Sequence, residues 1–117
     1  MLDTLQGVST YYAVSTVDVR GRLAARTPVN VLGWAPQQKI AVSLVHGLVV
    51  ATRQVNGYLS ITRQGHLRLP SAVVRRLRVG VGDRMLLAAC PESDLLAAFN
   101  MSALDAMAVA YCASLRG

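Results

Sequence analysis

Residues 11–19 alternate. Tyr11, Ala13, Ser15 and Val17 fall on one side of an extended chain, and Tyr12, Val14, Thr16 and Asp18 on the other, a period that predicts a strand. Ile40–Leu44 and Leu48–Thr52 are apolar runs separated by Val45-His46-Gly47 and predict a hairpin. A second alternation sets Leu59, Ile61 and Arg63 against Ser60 and Thr62. After a turn at Gly65 comes a shorter one, Leu67 and Leu69 against His66 and Arg68. Met85–Ala89 and Asp94–Phe99 predict the last two strands. Three helices punctuate this pattern. Thr27 is expected as the N-cap of the first, with Pro28 at its first position and Gly33 at its end. Pro70-Ser71 opens the second, which ends near Leu77. Ser102-Ala103-Leu104-Asp105 reads like a capping box and starts the third. It runs to about Leu115, with Leu104, Met107, Ala108, Tyr111 and Leu115 at helical spacing on one side.

The order strand, glycine turn, short helix, hairpin occurs twice. Gly21 matches Gly65 at an offset of 44, and Leu32 matches Leu77 at an offset of 45. Trp34 takes the place later held by Val79, and Gln37-Gln38 the place of Gly82-Asp83. Arg26 stands where Pro70 stands later. The chain therefore divides into a lead-in (1–10), a first unit (11–54), a second unit (58–99) and a helical tail (101–117). Gln54-Val55-Asn56-Gly57 links the units through a strong Asn-Gly turn signal. A unit of about 45 residues is too small to close a core alone, so both are expected in one domain.

Composition narrows the function. The 117 residues are 53% hydrophobic, enough for a core, yet no apolar run approaches the roughly 20 residues of a membrane helix. No basic, then apolar, leader precedes Tyr11, and Cys90 and Cys112 form no ligand-spaced set; the expected setting is the cytoplasm. The net charge is +6, and eleven of the twelve basic residues are arginine, the side chain whose planar fork suits phosphates and guanine edges. Between Arg63 and Arg84 there are six arginines and a single acid, Asp83. His46 and His66 occupy non-equivalent places, the six acids are scattered, and Gly80-Val81-Gly82-Asp83 lacks the Gly-Lys-Ser/Thr ending of a phosphate loop. These features point away from catalysis, metals and cofactors and towards nucleic acid.

Val17-Asp18-Val19-Arg20-Gly21-Arg22-Leu23 and Gly65-His66-Leu67-Arg68-Leu69-Pro70, each followed by a short helix and a hairpin, resemble the AbrB/MazE/SpoVT family of bacterial DNA-binding domains. The resemblance implies a mainly β fold with short helices, a swapped-hairpin β-barrel that two chains of the family build together. One chain here carries both units, so the barrel is expected as an intramolecular pseudo-dimer with a C-terminal helix. It also implies a nucleoid-associated regulator of transcription that binds double-stranded DNA. Arg22 matches the family's loop arginine and Arg75 its helix arginine. Arg20, Arg63, His66, Arg68 and Arg76 complete the expected DNA-binding set, with Arg63 and Arg68 resting on charge alone. The alternative is a MazE-like antitoxin that binds DNA and a toxin partner. The apolar stripe of the tail is expected to pack on the chain's own barrel, with a homo-oligomer contact or a toxin contact as the other readings.

Overall fold

The computed structural model describes residues 10–117; the lead-in, up to residue 9, lies outside them. The elements in order are β1 (Tyr11–Thr16), α1 (Thr27–Val31), β2 (Lys39–Val45), β3 (Leu48–Arg53), β4 (Leu59–Ser60), α2 (Ser71–Leu77), β5 (Arg84–Cys90), a 3₁₀ turn (Pro91–Ser93), β6 (Leu95–Asn100) and α3 (Met101–Leu115). The fold is mainly β with short helices. Its six strands form one antiparallel sheet in the order β1-β5-β6-β3-β2-β4.

That order reads the same from either edge. β1 pairs with the hairpin β5–β6 from the second half of the chain, and β4 pairs with the hairpin β2–β3 from the first half. The hairpins meet at β3 and β6, with Val50 opposite Ala97. As a ladder the sheet is open, its edges being β1 and β4. Past those edges, backbone hydrogen bonds continue through the turns. Val17 bridges Leu23, Arg22 bridges Arg68, the Thr62 N–H donates to His66 O at 2.9 Å, and the Ile61 N–H donates to Gln38 O at 3.0 Å.

The buried residues follow the offset of 44–45. Val17 and Ile61, Leu23 and Leu67, Leu32 and Leu77, and Ile40 and Met85 all lie in one cluster that also takes in Trp34, Leu69, Leu87 and Leu96. The backbone repeats as well. Positive φ occurs at Gly21 and Gly65, at Gly33 and Arg78, and at Gln37 and Gly82, so each pair of turns folds alike although in two of the three pairs one copy has glycine and the other a side chain. Among these positive-φ glycines Gly21 has the least freedom. At φ +80° a Cβ there would lie 2.8 Å from the Leu69 carbonyl oxygen, inside the contact distance of backbone atoms.

Several helix starts differ from expectation. Arg26, not Thr27, occupies the N-cap of α1, and Pro70 lies at the cap of α2 rather than inside it; neither cap makes a side-chain hydrogen bond. α3 begins one residue before Ser102, because Asn100 caps it by accepting from the Ala103 N–H at 2.7 Å. The tail also does not pack on the sheet. Ala103 and Leu104 are half-buried, and the remainder of α3, including Met107, Ala108, Tyr111 and Leu115, is exposed. Asn100, which also donates its amide to Leu77 O at 3.2 Å, fixes the start of the helix, and only the first turn lies against the strands. Among the described residues no helix is long and apolar enough to cross a membrane.

Candidate nucleic-acid interface

The two glycine turns lie side by side. In the first, the Asp18 N–H donates to Arg22 O and the Gly21 N–H to Asp18 O, each at 3.0 Å. In the second, Thr62 N–H to His66 O and Gly65 N–H to Thr62 O repeat those bonds at 2.9 Å. The turns are joined by Leu23 N–H to Leu67 O at 2.9 Å and Leu69 N–H to Gly21 O at 2.8 Å, around the Arg22–Arg68 bridge. Leu23, Leu67 and Leu69 point inward and are buried. The period of two then sends Arg22 and Arg68 to the opposite face.

Both of these arginines are held locally. Asp18 accepts from the backbone N–H groups of Arg20 (2.9 Å) and Arg22 (2.8 Å), and the Arg22 Nε donates to its second oxygen at 2.6 Å. Partial desolvation would raise the Asp18 pKa. The bonds from Arg22 and Arg20 outweigh it and hold the carboxyl below its ordinary value. Asp18 takes only Nε, so the terminal nitrogens of Arg22 stay available. Arg68 Nε donates to Arg20 O at 2.8 Å, which fixes the base of the Arg68 guanidinium beside Arg20. Arg20, Gly21, Arg68, Leu69, Ser71 and Gly80 line one cleft of about 250 Å³.

His66 sits deeper than its arginine neighbours. It is half-buried, and its Nδ1 lies 2.9 Å from Leu23 O. A carbonyl only accepts, so Nδ1 carries the hydrogen and Nε2 is the free nitrogen. The residue ties one turn to the other and offers a single atom outward. Arg63 is exposed beside the Gly65 turn, on a hollow it shares with Gln37, Lys39, Ser60 and Thr62. Arg75 and Arg76 are exposed on α2, whose Val74 approaches Gly21. The structure thus gathers Arg20, Arg22, His66 and Arg68 around one bridge, with Arg75 and Arg76 on the helix that follows Leu69. Arg63 stands apart from that group, next to a turn that is braced by a residue to which the sequence reading assigned no role.

That residue is Arg26. Its Nη1 donates to Gln64 O at 3.2 Å, and its Cδ covers Gly65, so a side chain of the first half braces the turn of the second. The available signal was the arginine standing where the repeat has Pro70. A further network was also missed. Trp34 Nε1 donates to Asp94 at 2.8 Å, and Arg53 donates to the same carboxylate at 2.9 Å and to Leu32 O at 3.4 Å. A buried indole needs a partner for its N–H, which a place-for-place match with Val79 concealed. Arg53 and Asn100 do equivalent work: each donates to the carbonyl that ends the preceding helix, Leu32 O and Leu77 O.

No family model, curated protein or solved structure matches the chain.

Proposed function

We propose that the chain is a sequence-selective, double-stranded DNA-binding regulator of transcription of the AbrB type. In this reading the halves 11–54 and 58–99 form one swapped-hairpin barrel, an intramolecular pseudo-dimer. The observation that carries it is the Arg22–Arg68 bridge, where arginines from both halves lie at the centre of one face. Around it are Arg20, Arg26, Arg63, Arg75, Arg76 and Arg78; in the sequence from residue 16 to 84 that carries them the acids are Asp18 and Asp83, and both are engaged by the protein itself, Asp83 with the Gly80 N–H at 2.7 Å. A surface of this kind neutralises phosphates and releases their counterions, and one or two of its forks read base edges in the major groove. The halves differ in their side chains, so the preferred site is asymmetric. The MazE-like antitoxin reading draws less support, since its toxin-binding segment is acidic and extended, whereas α3 is a regular helix with a single acid, Asp105.

The test is binding to a pool of duplex DNA across a salt series. Affinity is expected to fall about tenfold or more from low to physiological salt, at a log–log slope near −0.9 per phosphate contact. Absence of duplex binding at low salt overturns the reading.

A further inference from the structure

α3 is fixed at its start and uncovered along its body. Asn100 ends β6, caps the helix and bonds to Leu77 O, so the helix leaves the sheet in a set direction with no linker. Its composition is that of an interior: between Met101 and Leu115 the only charged residue is Asp105, and apolar residues occupy every side. Met101 is 52% exposed, Met107 46%, Val109 68%, Tyr111 66% and Leu115 68%. Together these five leave on the order of 600 Å² in water, at the top of the range for the largest patch on a monomer. A helix pair covers one side of each helix, here Met107, Tyr111 and Leu115 with the alanines between them, a contact smaller than the ~800 Å² per partner of a standard interface and of the size of a weak, concentration-dependent one. Helices that are apolar all round are covered in the finished assembly.

We propose that α3 pairs antiparallel with α3 of a second copy of this chain, about a twofold axis passing between Ala110 and Tyr111. Charge selects this arrangement. Asp105 and Arg116 lie eleven residues apart, about 16 Å along a helix, and are symmetric about that point. Antiparallel pairing sets Asp105 of each copy level with Arg116 of the other along the solvent-exposed rim of the seam, so opposite charges meet at both ends of the apolar stretch. Parallel pairing stacks Asp105 on Asp105. The contact is isologous and therefore closes at two chains. Leu104, Met107, Ala108, Tyr111 and Leu115 supply the seam. The inference uses none of the DNA-facing residues and stands or falls apart from the DNA reading.

Light scattering on the full chain at about 100 μM, where a dimer of micromolar Kd is formed, is expected to give twice the 12.5 kDa of one chain. The double variant M107E/Y111E, altered only at exposed positions, is expected to give the single-chain mass with an unchanged thermal melt. Asp105→Arg is expected to raise the dimer Kd about tenfold or more, and D105R/R116D to restore it. A monomeric parent at that concentration overturns the proposal, as does a dimer that persists in M107E/Y111E. Failure of D105R/R116D to restore pairing overturns the antiparallel register.

Discussion

Trp34 and Asp94, sixty residues apart in the chain, meet through a hydrogen bond of 2.8 Å from the indole N–H to a carboxylate oxygen. The ring is buried at the end of α1, and the carboxylate belongs to the turn between β5 and β6. Arg53 bonds the same carboxylate from the end of β3. Three elements from both halves of the chain are thus tied at one point.

Removing the acceptor leaves the indole donor unpaired, at a cost of about 1–3 kcal/mol. Asp94 also has φ +50°, where asparagine is tolerated better than alanine. Asp94→Ala is therefore expected to destabilise the fold by about 1–3 kcal/mol. Asp94→Asn keeps an acceptor for Trp34 and loses only a half-exposed ion pair, for less than about 1 kcal/mol. Urea unfolding of the two variants beside the parent checks the order. Equal losses would mean that the charge, not the indole bond, matters there.

The same carboxylate sets an acid dependence. The Arg53 guanidinium first, then the Trp34 N–H, hold the Asp94 pKa below its ordinary value, and Asp18 is lowered as well. Between the folded and unfolded pKa values the unfolded chain binds more protons, so stability falls as pH falls. The contribution is expected to be complete above the unfolded carboxylate value of about 3.9 and to be lost as pH drops through the lower, folded values. Melting temperature should be flat from pH 7 to 5 in this respect and decline below about pH 4. Asp94→Asn should decline less steeply than the parent.

Gly21 and Gly65 are equivalent by offset and by φ, but their surroundings differ. A Cβ on Gly21 meets the Leu69 carbonyl oxygen at 2.8 Å, whereas one on Gly65 meets only the flexible Cδ of Arg26, at 3.7 Å. Both alanine variants incur the left-handed penalty of about 1–2 kcal/mol. Gly21→Ala additionally has to move the backbone at the join of the two turns. It should therefore lose clearly more stability than Gly65→Ala and, unlike it, weaken duplex binding in proportion. Comparable melts for the two variants would show that the turn accommodates the clash.

What could be read from the sequence was what repeats. The 44–45 offset placed the two glycine turns and the Leu32–Leu77 pair, and the apolar runs placed both hairpins, because alternation and positive-φ punctuation are local signals. Leu67 and Leu69 were expected inward with Arg68 outward, and the exposures agree. The misses are long-range side-chain bonds. Nothing near Arg26 announces that it reaches Gln64, and nothing near Asn100 announces that it both caps α3 and holds Leu77 O. The apolar tail leaves the sheet from that anchored start although its spacing resembles that of a packed helix.

The last prediction concerns the two unequal halves of the arginine face. The first half supplies Arg22, anchored by Asp18 through Nε with its terminal nitrogens available. The second supplies Arg75 on α2, where the first half has only Asn30 and Val31 in the corresponding region. If one duplex spans both halves, Arg22→Ala and Arg75→Ala should each weaken binding. Loss of a phosphate contact lowers affinity alike on every sequence and reduces the salt slope by about one. Loss of a base contact costs about 1–3 kcal/mol and relaxes specificity at one position. Arg75 is exposed and makes no side-chain hydrogen bond among the described residues, so its removal should leave the melt unchanged. Arg22→Ala also strips Asp18 of one partner while the two backbone bonds to that carboxylate remain, so its melt should shift only slightly. Salt-titrated binding and thermal melting of both variants decide the matter. A variant that binds like the parent removes its half from the interface and ends the two-sided docking model. Loss of binding accompanied by unfolding would instead make that arginine a structural residue.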